Sequence, residues 1–224
     1  MIRERLRIII KKSQKLSRFL VSIFIRLHNY SYHKISEYAG YLNNDIHPKH
    51  TITNYHKFFL ENINKEDRIL DIGCGNGFLS YDLALKAKLV VGIDIKNYNI
   101  DDANKRYKRN NLKFIVGDAT IYDFKERFDK IVLSNVLEHI ENRISFLEKI
   151  RKIANIVILR VPMENRDWLT IYKKQNGYEY MLDKTHFIEY TVDTLNNELK
   201  KGRWQLERYQ INWGELWGII KQKN

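Results

Sequence analysis

Apolar residues recur along this chain with two different periods, and the change of period divides it. Ile2, Leu6, Ile9, Leu16, Leu20, Ile23 and Leu27 follow at alternating four- and three-residue steps, with only Ser13 interrupting. That is heptad spacing and predicts one face of a long helix. Further on, short β-type runs take over: the segment opening at Arg68, then Leu89 to Ile93, Leu112 to Val116, Phe128 to Ser134 and Asn155 to Val161. Each is followed by a helical pattern, and strands alternating with helices predict a parallel sheet covered on both faces. The tail breaks the rule. Trp204 to Ile211 and Leu216 to Lys221 are strand-like and joined by a short turn at Asn212, Trp213 and Gly214, which predicts a terminal antiparallel hairpin. Before it, Thr191 reads as the N-cap of a helix from Val192 to Lys200, stopped by Gly202. The stretch from about 162 to 190 is long for a strand–helix connection and rich in Trp, Tyr, Arg and Lys, the mark of a lid or acceptor site. The expected organisation is a helical extension over residues 1–50 and an α/β domain over 51–224 that carries this insertion.

Composition changes that picture in one place. The 224 residues carry a net charge of +12, with 44% hydrophobic and 29% charged residues, enough apolar material for one core. The charge is uneven: residues 1–28 hold Arg3, Arg5, Arg7, Lys11, Lys12, Lys15, Arg18 and Arg26 against Glu4 alone. A basic amphipathic helix has three roles open to it: packing on its own domain or in a homodimer, lying on an anionic membrane surface, or binding RNA. The run from Phe19 to Leu27 is too short and too polar to span a bilayer, and no small-residue cleavage site of a signal peptide follows it. The lone Cys74 leaves no intrachain disulfide to form. The expectation is a cytoplasmic protein, peripheral to the inner face of the membrane where the helix binds lipid.

The chemistry is concentrated in RILDIGCGNGFLS, Arg68 to Ser80, where a strand ends at Asp71 and Gly73, Gly75 and Gly77 follow at every second residue before a helix. Such a turn lets backbone N–H groups approach a ligand closely. A second run ends in Asp94, 23 residues after Asp71, the spacing of an acid that binds a ribose diol. A dinucleotide fingerprint would place its third glycine where Phe78 stands, and Asp71 would repel a pyrophosphate. An acid before the glycines suits a cofactor with a positive group. The segment resembles motif I, D-x-G-x-G-x-G, of the class I S-adenosylmethionine-dependent methyltransferases.

The resemblance covers about Ile52 to Gln222 and implies a doubly wound, Rossmann-like seven-stranded sheet in the order 3-2-1-4-5-7-6, the last strand antiparallel. S-adenosyl-L-methionine is the cofactor it implies, held by Asp71, Gly73, Cys74, Gly75, Gly77, Asp94, Ile95 and Asn135. Gly117-Asp118-Ala119 resembles the family's adenine-binding segment, which adds Asp118 and Ala119 to that set. After the fourth strand, Ser134-Asn-Val-Leu-Glu-His139 resembles the L-E-H signature of small-molecule methyltransferases, including quinone O-methyltransferases, and is unlike the N-P-P-Y type. His139 is then a base or an acceptor-orienting group; as the start of a helix it could equally bond only the backbone. Some relatives hold a divalent cation through E-x-x-E-H, and RNA 3′-terminal 2′-O-methyltransferases add a histidine. Here the first acid is Asn135, a poor ligand for a hard cation; Glu138, His139 and His186 could still form a partial site, but no metal is expected.

After the fifth strand the D-x-T-H…Y-T pattern, Asp183 to Thr191, is similar to a segment of methyltransferases associated with polysaccharide and glycolipid pathways, where its histidine, here His186, faces the acceptor. Arg166, Trp168, Tyr178 and Tyr190 are the candidate acceptor contacts, with Tyr180 beside them; packing onto the sheet is the alternative for each aromatic. His47, His50 and His56 match no zinc spacing, and Tyr55 or His56 is expected near the cofactor. The expected activity is O-methylation of a sugar, glycolipid or other small-molecule hydroxyl. An RNA ribose 2′-O-methyltransferase and an inactive cofactor-binding partner subunit are the alternatives.

Overall fold

A computed structural model describes residues 2–43 and 46–223; of the predicted stripe, the Ile2 side chain lies outside the described part. The helices are α1 (Ile2–Lys12), α2 (Gln14–Leu42), α3 (Lys49–Thr53), α4 (Tyr55–Glu61), α5 (Phe78–Ala84), α6 (Asn97–Arg106), α7 (Arg143–Ile150), α8 (Trp168–Gln175) and α9 (Val192–Lys201). The strands are β1 (Arg68–Ile72), β2 (Leu89–Asp94), β3 (Leu112–Val116), β4 (Lys130–Ser134), β5 (Ile156–Pro162), β6 (Trp204–Asn212) and β7 (Glu215–Gln222). A single 3-10 turn, Leu137–His139, follows β4.

All seven strands form one sheet in the order β3-β2-β1-β4-β5-β7-β6. β1 to β5 run parallel, and β7 lies antiparallel between β5 and β6. The alternation of side chains along a strand builds a core on each face. Leu70 and Ile72 of β1, Ile131 and Leu133 of β4, and Val157, Leu159 and Val161 of β5 enter one apolar cluster. Their neighbours Ile69, Val132 and Ile158 enter the other, with Phe59 and Trp217. Trp204 is fully buried, and its indole N–H donates to the Leu147 carbonyl at 2.9 Å.

The chain divides into two compact units. Met1–Ile52 with Ile171–Tyr180 form one, and Thr53–Thr170 with Met181–Asn224 form the other. In the first, the heptad stripe is carried by two helices. Ser13 ends α1 and caps α2, its hydroxyl accepting from the Leu16 N–H at 3.3 Å, while Ser17 Oγ donates to the Ile10 carbonyl at 2.8 Å. The stripe residues Leu6, Ile9, Ile23 and Leu27 are exposed, and the buried residue of α2 is Ile25, off the stripe. Residues 171–180, which the sequence assigns to the acceptor insertion, join this unit through polar bonds. Lys173 Nζ donates to Asn29 Oδ1 at 2.7 Å and Asn29 Nδ2 to the Glu179 carbonyl at 3.0 Å.

Candidate active site

The glycine turn after β1 is built by backbone geometry that side chains rarely adopt. Gly73, Gly75 and Gly77 have φ of 67°, 54° and 82°, in the left-handed region that only glycine enters at no steric cost. At Gly73 a Cβ would stand 2.6 Å from Val136 Cγ2, and at Gly77 it would stand 2.6 Å from Phe114 Cζ. A Cβ at Gly75 would meet nothing within 4 Å, so the middle of the turn is the open part. The amides of Gly73 and Cys74 both donate to the Ile93 carbonyl, which pins the turn against β2. Asp94, at the end of β2, closes it: Oδ2 accepts from Gly75 N at 2.9 Å, and Oδ1 from Lys96 N at 2.8 Å and Asn99 Nδ2 at 3.1 Å.

Asp71 lies beneath, 1% exposed, accepting from Ser80 Oγ at 2.5 Å. Burial pushes its carboxyl up to about 7, Ser80 opposes the shift and the charge of Asp94 adds to it. A cation placed here would restore the ionised form, which fits a cofactor with an ammonium or sulfonium group. Burial also pushes the Cys74 thiol up, so it stays neutral and inert. Asp118 begins the next loop, its Oδ1 accepting from Thr120 N at 2.8 Å and Thr120 Oγ1 at 2.7 Å. Ala119 is half-buried behind it and Ile95 is exposed on the rim.

The segment after β4 lies against the same turn through the Val136–Gly73 contact. Asn135 takes φ of 56°, and its Oδ1 accepts from Arg160 Nε at 2.9 Å. Arg160, 3% exposed at the end of β5, stacks 3.6 Å from the centre of the Tyr55 ring and pairs with Glu215 at 3.3 Å. Its Nη1 is buried with no hydrogen-bond partner among the described residues. Sequence reading missed Arg160 because it sits inside an apolar strand run; an arginine within a parallel core strand is the signal that could have found it. His56 pairs with Asp82 at 2.6 Å, and His47 bonds Ser36 at 2.7 Å. Each of these two histidines is committed to a neighbour in its own unit.

Glu138, His139 and His186 come together. One donor atom of each lies within 4.8 Å of the others, and the imidazoles meet edge to face with centroids 4.6 Å apart. The Phe187 N–H donates to the Glu138 carbonyl at 2.8 Å, fastening the insertion to the post-β4 turn. The tautomers follow from donor counting. Thr185 Oγ1 donates its single hydrogen to Asp183 Oδ1 at 2.7 Å, so at 2.9 Å it accepts from His139 Nδ1. Burial alone would raise Asp183, but the Thr185 hydrogen bonds and the two histidines outweigh it and keep the carboxyl low, an obligate acceptor. His186 Nδ1 faces the buried Glu189 carboxylate at 3.1 Å and donates to it. Each ring thus turns its Nε2 away from its Nδ1 partner, and the neutral form of His139 carries its lone pair there. Desolvation first, and the neighbouring His186 second, hold His139 below its ordinary value, so this imidazole is neutral at physiological pH.

The acceptor candidates separate. Trp168 is 75% exposed in the α/β unit. Arg166 is spent on an ion pair with Glu189 and a 3.0 Å bond to the Met163 carbonyl. Tyr178 belongs to the other unit, where its N–H bonds the Lys173 carbonyl at 2.9 Å, and Tyr180 belongs there too. Tyr190 is a correction: it is fully buried in the core, and its hydroxyl donates to Glu198 Oε1 at 2.6 Å. Its ring fills the space over α9 that periodicity alone could not distinguish from an acceptor cleft.

Residues 63–203 match the family model described as "Methyltransferase domain". The chain belongs to this family. It is a class I S-adenosylmethionine-dependent methyltransferase, and the turn from Gly73 to Gly77 with Asp71 and Asp94 fits that cofactor. Among relatives, the ribosomal RNA small subunit methyltransferase A of Mesomycoplasma hyopneumoniae is 32% identical over 135 residues, 58% of this chain and 51% of that one. The ubiquinone biosynthesis O-methyltransferase of Pelagibacter ubique is 34% identical over 91 residues, 40% of this chain and 38% of that one. The chain thus spans about half the length of the first and less of the second. Among solved structures, magnesium protoporphyrin IX methyltransferase from Synechocystis PCC 6803 with bound SAH superposes with a TM-score of 0.61 at 19% identity, covering 77% of this chain and 82% of that chain. At that identity the likeness speaks for the methyltransferase fold alone.

Proposed function

We propose that this methyltransferase methylates a hydroxyl, and that the acceptor is a sugar hydroxyl of a glycan or glycolipid, or of a similar small molecule. The observation that carries the reading is the pair of imidazoles of His139 and His186, 4.6 Å apart, with His139 three residues after Val136, which packs on Gly73 of the cofactor turn. Methyl transfer from a sulfonium is an in-line displacement helped chiefly by positioning, and a hydroxyl acceptor must also lose its proton as the bond forms. A neutral imidazole accepts that proton. Trp168, exposed at the start of α8, offers a flat face to a sugar ring. Incubating the protein with methyl-tritiated S-adenosylmethionine and separated cell fractions tests the acceptor. Label is expected in glycolipid or glycan; label in RNA, for which the net charge of +12 and the ribosomal RNA relative speak, overturns it.

The cofactor's amino-acid end is taken to face Asp71. Its carboxyl ionises only near 7 in the empty protein, so cofactor affinity is expected to fall as pH drops below about 7. The native carboxyl holds its proton to a higher pH than the unfolded one. The cofactor-free protein therefore loses stability as pH rises towards 7. Calorimetric titration across pH checks the first expectation and thermal melting the second; an affinity flat with pH removes Asp71 from the cofactor.

The first unit supports a peripheral membrane role. No helix among the described residues is long and apolar enough to cross a membrane. Yet Leu6, Ile9, Phe19, Phe24 and Leu27 are each more than half exposed, among eight exposed arginines and lysines. Such a surface buries its apolar side chains in a bilayer while each cation near anionic headgroups adds about 1 kcal/mol. Co-sedimentation with anionic vesicles is expected, lost in neutral vesicles, weakened by salt and reduced in the Phe19→Asn, Phe24→Asn double variant. A concentration-dependent homodimer without vesicle binding contradicts this role.

A further inference from the structure

We propose that Trp213, at the tip of the β6–β7 hairpin, is a specificity-determining contact for the acceptor, its indole stacking on the apolar face of a sugar ring. The sugar ring rests on the acceptor reading above; the position of Trp213 beside the acceptor side of the sheet does not.

The hairpin turn carries a residue that its geometry does not favour. Asn212 pairs with Glu215 across it, so Trp213 and Gly214 form a two-residue loop, and both take positive φ, 55° and 73°. A turn of this kind favours Asn, Asp or Gly at its first position, because a bulky side chain at positive φ crowds its own backbone. Trp213 is the one tryptophan, tyrosine or phenylalanine among the described residues with positive φ. Packing does not account for it either. The side chain is 68% exposed, whereas Trp204 and Trp217 are buried in the core. An asparagine would make the same turn with less strain and leave no indole in water. A strained outlier that neither the turn nor the core asks for points to a ligand.

Its position says which ligand. β7 runs antiparallel to β5 with Glu215 opposite Pro162, so the tip stands past the carboxyl end of β5. That is the edge of a doubly wound sheet where ligands bind. The Met163 N–H donates to the Gly214 carbonyl at 2.9 Å, and a Cβ on Gly214 would stand 2.6 Å from Arg166 Cβ. Arg166 pairs with Glu189, whose carboxylate also meets His186 Nδ1 at 3.1 Å. The tip is thus joined, through Arg166 and Glu189, to the imidazole pair. The Arg166 charge is balanced by Glu189, so the place beside Trp213 suits a neutral ring better than an anion. An indole offers a wide flat apolar face, and covering it with the C–H face of a sugar ring removes both from water.

Initial rates of methyl transfer from methyl-tritiated S-adenosylmethionine test this, over dilution series of solvent-extracted glycolipid and of water-soluble glycan from the cell. Wild type is compared with Trp213→Asn and Trp213→Phe. Asn-Gly is a favoured pair for this turn, so Trp213→Asn should keep or raise the melting temperature and leave the affinity for S-adenosylhomocysteine unchanged. The same variant should raise the apparent KM for the acceptor roughly tenfold or more, the effect of losing an aromatic anchor, with kcat nearly unchanged. Trp213→Phe keeps a flat ring and should stay within about threefold of wild type. A wild-type KM in Trp213→Asn, or a lowered melting temperature that marks the indole as a packing residue, overturns the proposal. Wild-type label entering RNA and neither glycan fraction overturns the acceptor reading and the sugar ring with it. Label in a glycan fraction with KM unmoved by Trp213→Asn overturns the role of Trp213 alone, so the two failures are distinguishable.

Discussion

Replacing His139 or His186 by Ala is expected to lower methyl transfer about 10²–10⁴-fold while leaving the affinity for S-adenosylhomocysteine nearly unchanged. Thr185 and Glu189 hold the two rings by their Nδ1 atoms, so either substitution removes an imidazole from the place where a proton must go. The pH profile separates this from a structural role. His139 is held below the ordinary imidazole range by desolvation and by His186. Its neutral form persists through neutral pH, and the rate should fall only as pH drops below about 6.5. Full turnover in both single variants would reduce the pair to packing, consistent with the ring contact alone.

Asp94→Ala is expected to weaken cofactor binding by about 1.5–3 kcal/mol, the range of hydrogen bonds to a charged group, or roughly 10- to 150-fold in Kd. Two losses combine. The carboxylate no longer meets the ribose hydroxyls, and Gly75 N loses the 2.9 Å bond that holds the open part of the turn. Calorimetry with S-adenosylhomocysteine measures the total, and the melting temperature of the cofactor-free protein measures the second part. Unchanged affinity with a lowered melting temperature would leave Asp94 a loop anchor only.

Most of the sheet was legible because parallel core strands are short apolar runs between turn signals. The β2 and β3 runs, the turn after β1 and the terminal hairpin all lie within a residue or two of their predicted places. The order of the strands came from the family resemblance, since periodicity carries no information on which strands are neighbours. Ser13 interrupted the stripe in the sequence and ends a helix in the structure, because its hydroxyl competes for the backbone. The stripe did not identify Ile25 as the buried residue of α2; periodicity finds a face but not what covers it.

The cofactor turn was legible for a local reason: its geometry depends on glycines and one acid close in sequence. The acceptor side was not. His139 and His186 are 47 residues apart, and their tautomers depend on Thr185, Asp183 and Glu189, whose roles exist only once the insertion folds back onto the post-β4 turn. Tyr190 read as an acceptor contact because an aromatic in an insertion carries the same pattern whether it faces a ligand or, as here, the core.

The atom that receives the methyl group is the most direct test. Protein given S-adenosylmethionine with a carbon-13 methyl group and a total cell extract should yield a product whose methyl carbon has the chemical shift of an O-methyl ether. The signal should be absent with the His139→Ala, His186→Ala double variant. A transferred methyl with the shift of an N-methyl or C-methyl group, or one formed equally by that variant, would contradict methylation of a hydroxyl at this site.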